Sequence, residues 1–268
     1  MAAMLGANLV FFLAQPALAA DASAWDGDQR AAIRLIASAP RAAIHRAGVE
    51  VRLAPGWKTY WRYPGDSGVP PRFDFAGSRN VKSVTVRYPA PQQLKDESGT
   101  SIGYQHDVVF PLDVIPQDAK QPVVLSLKAD YAICEKICIP AEGKATLTLT
   151  GKSAAQDERL KKGEMLVPKP AALGGDGALG IRAAKRDGAR VLVDIAAPTG
   201  TAVELFAEGP TPDWALPIPS PVAGAPAGQQ RFAFALDGLP PGAKPDGATL
   251  TLTAVAAGEA IEVPYRLD

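Results

Sequence analysis

The chain has 268 residues with 28 basic and 28 acidic side chains, so its formal charge is zero. No basic surplus is left over for a nucleic acid or an anionic membrane surface, and neither is expected as a partner. Pro and Gly number 25 each beside many Val, Thr and Leu runs, a mixture that favours short strands joined by turns: an all-β chain of sandwich type, long enough for two modest domains.

Residues 1–19 read as a signal peptide. An apolar run around Leu9 to Leu13 leads to Ala17-Leu18-Ala19, a small-x-small cleavage pattern, although no Lys or Arg marks the start. No other stretch approaches the ~20 apolar residues of a membrane span. The remainder is therefore expected to be soluble, in an oxidising compartment where two cysteines can stand as a disulfide.

Asp21 to Gln29 reads as a disordered leader, and Arg30 to Ala37 fits a strand or a helix equally well. Gly48 to Leu53 is a strand with Val49, Val51 and Leu53 on one face. Gly56 to Pro71 is rich in aromatic residues and closed by turn residues. Strands follow at Arg72–Phe75 and Val81–Arg87, ending at Tyr88-Pro89-Ala90-Pro91, where proline cannot continue an interior ladder. Lys95 to Gln105 is a polar, glycine-bearing loop. It feeds a strand at Val108–Val114, and Pro116–Gln121 turns the chain.

From Val123 to Ile133 the odd positions are apolar (Val123, Leu125, Leu127, Ala129, Tyr131, Ile133), while the even ones include Ser126, Lys128 and Asp130. This is the period-two pattern of a strand with one buried face. Lys144 to Thr150 alternates again, with Ala145, Leu147 and Leu149 against three threonines. Between the runs stand the only cysteines, Cys134 and Cys138. If Glu135, Lys136 and Ile137 form a hairpin loop, the two cysteines oppose each other at a Cα separation of roughly 4.5–5.5 Å, inside the roughly 4.4–6.8 Å a disulfide uses. Cys134 shares the even, polar parity, so the pair is expected on the outer face of the sheet.

Three readings of this dithiol stand side by side. It can be a redox-active pair, a structural staple, or a soft-metal site holding Cu(I) in a non-catalytic binding module. As a staple it would contribute little, since so short a loop gives about 2 kcal/mol in the chain-entropy model, against about 4.7 for a hundred-residue loop. Lys136 inside the loop favours a thiolate and Glu135 opposes one.

Gly151 to Lys162 is charged and poor in β-formers, a surface linker with one helical turn. From Gly180 a second β pattern runs through Val191–Ile195, Ala202–Phe206, Arg231–Leu236, Ala248–Val255 and Ile261–Leu267. It holds no cysteine or histidine, so packing or partner contact is expected there rather than chemistry. The implied division is a redox β-sandwich at 28–152, a linker at 153–177 and a second, smaller β domain at 178–268.

Other motifs weigh less. Gly65-Asp66-Ser67-Gly68 looks like a serine-protease nucleophile segment, with His45 upstream, but Val69 stands where a second glycine belongs, and the string is an ordinary turn. His106 beside Asp107 reads as a solvated loop end. Asp96 and Glu97 are loop carboxylates, able to act as general bases in thiol exchange only if the loop folds over the cysteines. Trp57, Tyr60, Trp61 and Tyr63 are core or sheet-face aromatics, of which one or two can wall the dithiol. Two histidines and three methionines make no metal cluster.

Three stretches taken together carry a resemblance: G-W-K-T-Y-W-R-Y-P-G-D-S-G-V-P-P (Gly56 to Pro71), the Lys95–Tyr104 loop, and Y-A-I-C-E-K-I-C-I-P. They resemble the N-terminal periplasmic domain of DsbD-type thiol:disulfide interchange proteins, in the stand-alone, two-domain form of the ScsB-like variant linked to copper tolerance. The resemblance covers Arg30 to Thr150; the rest looks like the second β domain of the ScsB-type ectodomain. It implies an immunoglobulin-like sandwich whose cysteines relay electrons from a membrane-embedded donor to thioredoxin-fold periplasmic proteins, a protein-disulfide reductase activity with no cofactor and no small-molecule substrate. Carried over, Cys134 and Cys138 match the redox pair, Tyr60 an active-site tyrosine, and Asp96 and Glu97 the acidic residues of the loop that caps the disulfide. Ser98 replaces a capping phenylalanine, so either the shielding comes from elsewhere, Ile102 or Tyr104, or it is looser. The cysteine spacing is shorter than in the best-known members, and the membrane and thioredoxin domains of the longer relatives have no counterpart in these 268 residues. In the exchange read here one thiolate, taken as Cys138, attacks a partner disulfide and the other cysteine resolves the mixed disulfide; the sequence does not fix which of the two attacks.

Overall fold

Alternating side chains give each strand one apolar face, and burying those faces between paired sheets organises both halves of the chain. A computed structural model describes residues 21–65, 68–96, 99–151 and 155–268. The expected signal peptide, Glu97 and Ser98 lie outside the described residues.

The first half contains strands β1 (Asp26–Gly27), β2 (Ala31–Ala37), β3 (His45–Leu53), β4 (Lys58–Gly65), β5 (Arg72–Asp74), β6 (Val81–Val86), β7 (Gln92–Asp96), β8 (Gly99–Tyr104), β9 (Val108–Pro116), β10 (Val123–Cys134) and β11 (Cys138–Leu149). One sheet has the order β1-β2-β3-β9-β6. The other runs β11-β10-β4-β8-β7, with β5 also paired to β10. Their inner faces meet in one core that includes Ile33, Leu35, Val49, Trp61, Phe110, Leu125, Leu127 and Leu147. The odd residues of β10 from Val123 to Ile133 all lie in that core, as their period requires. This is the immunoglobulin-like sandwich expected from the sequence.

Several local expectations change. Arg30–Ala37 resolves as a strand, buried along nearly its whole length. Asp21–Gln29 is an ordered edge rather than a loose leader: Ser23 and Ala37 donate to Leu35 and Asp21 carbonyls (2.8 and 2.7 Å), and β1 pairs with β2. The polar stretch Lys95–Gln105 is largely strand, because β7 and β8 form a hairpin in which backbone pairing, blind to side-chain polarity, sets the structure.

The presumed linker also folds. Helix α1 (Asp157–Met165) buries Leu160 completely. Three of its charges are partnered: Arg46 of β3 donates to Asp157 (2.8 Å) and Glu164 (2.7 Å), Ser38 donates to Asp157 (2.6 Å), and Arg159 pairs with buried Glu50. A charged composition hid the extent of a helix whose buried Leu160 and ion pairs fasten it to the first sandwich.

The second half adds β12 (Lys169–Pro170), β13 (Gly180–Asp187), β14 (Arg190–Ala196), β15 (Val203–Glu208), β16 (Ser220–Val222), β17 (Gln229–Ala235), β18 (Thr249–Ala256) and β19 (Glu259–Arg266). They form two four-stranded sheets, β12-β19-β18-β15 and β13-β14-β17-β16, around a separate core that includes Val193, Leu205, Phe232, Leu252 and Val263. The chain is thus all-β apart from α1 among the described residues.

The two sandwiches share a seam. Phe206 of β15 is fully buried in the first core, its ring centroid 5.7 Å from that of Trp61. Arg62 of β4 grips Glu208 through two 2.7 Å bonds and also pairs with Glu262. Burial works against the Arg62 charge, but the two glutamates outweigh it and hold the guanidinium above its ordinary pKa. Tyr63 donates to the Leu216 carbonyl, and Glu204 accepts the Gln93 backbone N–H at 2.9 Å on edge strand β7.

Phe206→Ala is expected to cost about 3–5 kcal/mol, the usual loss for a buried aromatic, read from denaturant unfolding of the full chain. Glu204 offers an opposite case. Burial raises its pKa above the ordinary 4.5, against the opposing effects of the Gln93 N–H and Lys95. A carboxyl raised in this way costs stability while ionised, and the cost is relieved as pH falls through the folded pKa. Glu204→Gln keeps the acceptor for Gln93 and should therefore raise the melting temperature at neutral pH. The gain should shrink as pH falls toward 4.5.

Candidate redox site

Strands β10 and β11 pair without interruption from Val123↔Leu149 to Cys134↔Cys138, so Glu135, Lys136 and Ile137 form the connecting loop. The directly opposed cysteines form a disulfide with a Cα–Cα distance of 4.1 Å. Their exposure is unequal: Cys134 is 1% exposed, whereas Cys138 lies open at the start of β11.

Cys134 lies on the side of the sheet away from the core, as parity expects, but it is buried there. That side is covered by Tyr60, which forms a small buried cluster with Ala132 and Cys134. The Tyr60 hydroxyl lies 2.6 Å from Cys134 Sγ and 3.2 Å from Cys138 Sγ. Neither sulfur of a disulfide carries hydrogen, so the phenol is the donor. Burial first, then the nearby Asp96 carboxylate, push the Tyr60 pKa above 10.0. The group stays a protonated donor throughout the neutral range.

Strand β4 delivers these groups by register. Cys134 pairs with Lys58 and Ile133 with Thr59, so Lys58 and Tyr60 face the cysteine side while Thr59 and Trp61 face inward. Opposite Tyr60 stands Gly103 of β8. A Cβ there would lie 2.0 Å from the Thr59 carbonyl oxygen, so only glycine permits this approach of β4 and β8. On the other side, a Cβ on Gly68 would lie 2.6 Å from Cδ1 of the Tyr60 ring and 2.7 Å from Pro64 Cβ. The glycine of the aromatic-rich turn is therefore a packing requirement of Tyr60, a use that the turn reading did not anticipate.

Lys58 is buried, and its ammonium pairs with Asp96 at the end of β7 and donates to Ser101 Oγ of β8 at 2.9 Å. Asp96 is thus drawn to the cysteine side of the sheet through Lys58. Glu97 lies outside the described residues. Tyr104 and Ile102 do not shield the disulfide, contrary to expectation. Both face the sandwich core, where Tyr104 packs edge-on against Phe110 (5.4 Å) and donates to the Pro89 carbonyl at 2.8 Å. The reason is the pleat: Tyr104 pairs with Thr59, an inward position, and its neighbour Gly103 takes the outward one. His106 is exposed and lines a cleft beside α1 with Arg159 and Lys162, a cleft whose lining includes neither cysteine. Asp107 accepts the Leu53 N–H at 2.9 Å.

Sequence reasoning missed Lys58, Ser101 and Gly68. For Lys58 a signal existed, since it stands two residues before Tyr60 and shares its parity. Ser101 and Gly68 could not be found in this way, because their partners come from other strands and turns.

The geometry is that of a disulfide with one sulfur reachable and the other seated under a hydrogen-bond donor. Residues 29–150 match the family described as thiol:disulfide interchange protein DsbD, N-terminal. No curated protein matches the chain. Among solved structures, the N-terminal periplasmic domain of ScsB from Proteus mirabilis aligns with a TM-score of 0.71 at 21% identity, over 92% of this chain and 98% of that one. At that identity the likeness speaks for the fold, and it extends over both sandwiches. The resemblance carried by the sequence motifs is borne out.

Gly68→Ala should displace the Tyr60 ring and unseat its hydroxyl from the sulfurs. The expected result is several-fold slower reduction of the disulfide by dithiothreitol, because the departing Cys134 sulfur loses its hydrogen bond, together with a lowered melting temperature. An unchanged rate would mean that the phenol takes no part in opening the bond.

Proposed function

We propose, from the premise of a DsbD N-terminal-type domain at 29–150, that this chain performs thiol:disulfide interchange in the periplasm, relaying two electrons through Cys134 and Cys138. A membrane-embedded donor supplies the electrons, and thioredoxin-fold proteins receive them. The observation that carries this reading is the asymmetry of the disulfide: an exposed Cys138 sulfur bonded to a buried Cys134 sulfur that rests on the Tyr60 phenol.

That asymmetry supports the following order of steps. Attack goes to the sulfur that can be reached. A donor thiolate attacks Cys138 Sγ, a mixed disulfide forms, and the electron pair of the broken S–S bond passes to Cys134 Sγ as a thiolate. The phenol O–H is already aimed at that atom. A second donor thiol attacks the partner sulfur of the mixed disulfide and leaves the protein dithiol. In the forward half-reaction the Cys138 thiolate attacks the disulfide of a thioredoxin-fold protein. Cys134 then attacks Cys138 Sγ, which releases the reduced partner and restores the internal disulfide.

A staple explains this arrangement less well. Twelve consecutive residue pairs already hold β10 to β11, so closing a loop this short adds only about 2 kcal/mol. A staple also gains nothing from a buried hydroxyl trained on its sulfurs. The surroundings of Cys138 suit a protein rather than a small polar thiol: Ile137, its neighbour in the loop, is 70% exposed, and Val69, next to the Gly68 that touches Tyr60, is 56% exposed.

A Cys134→Ser variant retains the exposed thiol and lacks the resolving one. Incubated with a periplasmic extract, it should accumulate mixed disulfides with thioredoxin-fold proteins, whereas Cys138→Ser, with only the buried thiol, should trap far less. Two variants equally empty of such partners would refute the relay.

A further inference from the structure

Opening the disulfide at Cys138 deposits a negative charge on Cys134, a sulfur 1% exposed and largely cut off from water. Burial alone disfavours an ionised thiol, and a poor leaving thiolate slows exchange. A site built for rapid exchange therefore needs a countercharge close to Cys134. Tyr60 supplies a hydrogen bond but no charge.

One buried cation, Lys58, lies on the same face of the sheet as Cys134, paired with the Asp96 carboxylate that also acts on Tyr60. Lys58 is directly opposite Cys134 in the β4–β10 register, and opposed strand residues have Cβ atoms about 4.5–5.5 Å apart on the same face. The lysine is 7% exposed. Its ammonium is fixed by Asp96 and by Ser101 Oγ instead of extending to solvent. A lysine that served only solubility would not be folded under a hairpin beside a sulfur. We infer that Lys58 is a positioning residue of the exchange reaction, its buried ammonium compensating the charge that forms on Cys134 Sγ when the disulfide opens. This deepens the function proposed above and rests on it. The Lys58–Asp96 pair also ties the β7–β8 hairpin to the strand that carries Tyr60, so the same contact that holds the hairpin down places the cation.

The chemistry balances without a further reactant. The incoming thiolate brings the electron pair that forms the new S–S bond, and the pair from the old bond stays on Cys134. Lys58 gives up no proton, because its contribution is the field of a fixed charge.

The test uses the full chain with Cys138→Ser, which leaves Cys134 as the one thiol, and reads its titration by ultraviolet thiolate absorbance. In the two-cysteine protein, the disulfide–dithiol equilibrium is measured against glutathione. Lys58→Met is expected to raise the Cys134 thiol pKa by about one unit or more, a tenfold or larger loss of thiolate at a given pH, and to shift the glutathione equilibrium toward the disulfide. Lys58→Arg, which keeps the charge, should restore most of both. If Lys58→Met cannot fold for want of a counter-ion to Asp96, comparing Asp96→Asn with Lys58→Met/Asp96→Asn isolates the same charge in a neutral setting. A thiol pKa and glutathione equilibrium indifferent to the charge at residue 58, with faster reduction alone, would reduce Lys58 to a latch for the hairpin and overturn the inference. A clear Lys58 effect with no partner caught by either cysteine variant would instead retire the relay and leave the site chemistry standing.

Discussion

The contact on which the site depends is the seat of Cys134 beneath the Tyr60 phenol. It exists because two antiparallel strands, β4 and β10, use both of their faces. One face of each closes the sandwich core through Thr59, Trp61, Tyr131 and Ile133. The other, which would ordinarily be wet, is dried at one end by Tyr60, Ala132 and Cys134. The pleat thus separates stability from chemistry within the same residues. The packed core fixes the strands, and the opposite face inherits that fixed geometry for a sulfur, a phenol and an ammonium.

Strand β4 carries more than the site. Lys58 and Tyr60 face the cysteines and Trp61 enters the core. Past Tyr60 its pairing with β8 is interrupted, and there Arg62 and Tyr63 reach into the second sandwich. Six consecutive residues join disulfide, core and interface. The second sandwich, read from sequence as a place for packing or partner contact, packs on the first through Phe206, Glu204, Glu208 and Glu262. Glu204 also holds the outer strand of the hairpin whose far end presents Asp96 to Lys58, so the second domain supports the redox site without contributing a group to it.

Access is set by what surrounds each sulfur rather than by the bond between them. Cys134 is enclosed by the sheet and by Tyr60. Cys138 emerges beside an exposed isoleucine. In thiol exchange the attacked sulfur and the leaving sulfur have opposite needs, approach for one and charge stabilisation for the other. The hairpin meets both by placing one cysteine at the open start of a strand and the other at a covered strand end.

The sequence by itself determined the hairpin, its register and the opposition of Cys134 and Cys138, because period-two alternation and a three-residue loop are local properties. It also determined the all-β class and, through three short motifs, the family resemblance. It misjudged Asp21–Gln29 and the extent of the helix at Asp157–Met165, where polar residues are ordered by partners distant in the chain, and Lys95–Gln105, where a local hairpin orders them. Only the tertiary structure decided that Cys134 is buried, that Tyr104 turns inward, and that Lys58 and Asp96 meet beside the sulfur. Parity says which face a side chain takes. What lies above that face is set by strands and turns brought together from Lys58 to Ser101, and no local pattern encodes that cover.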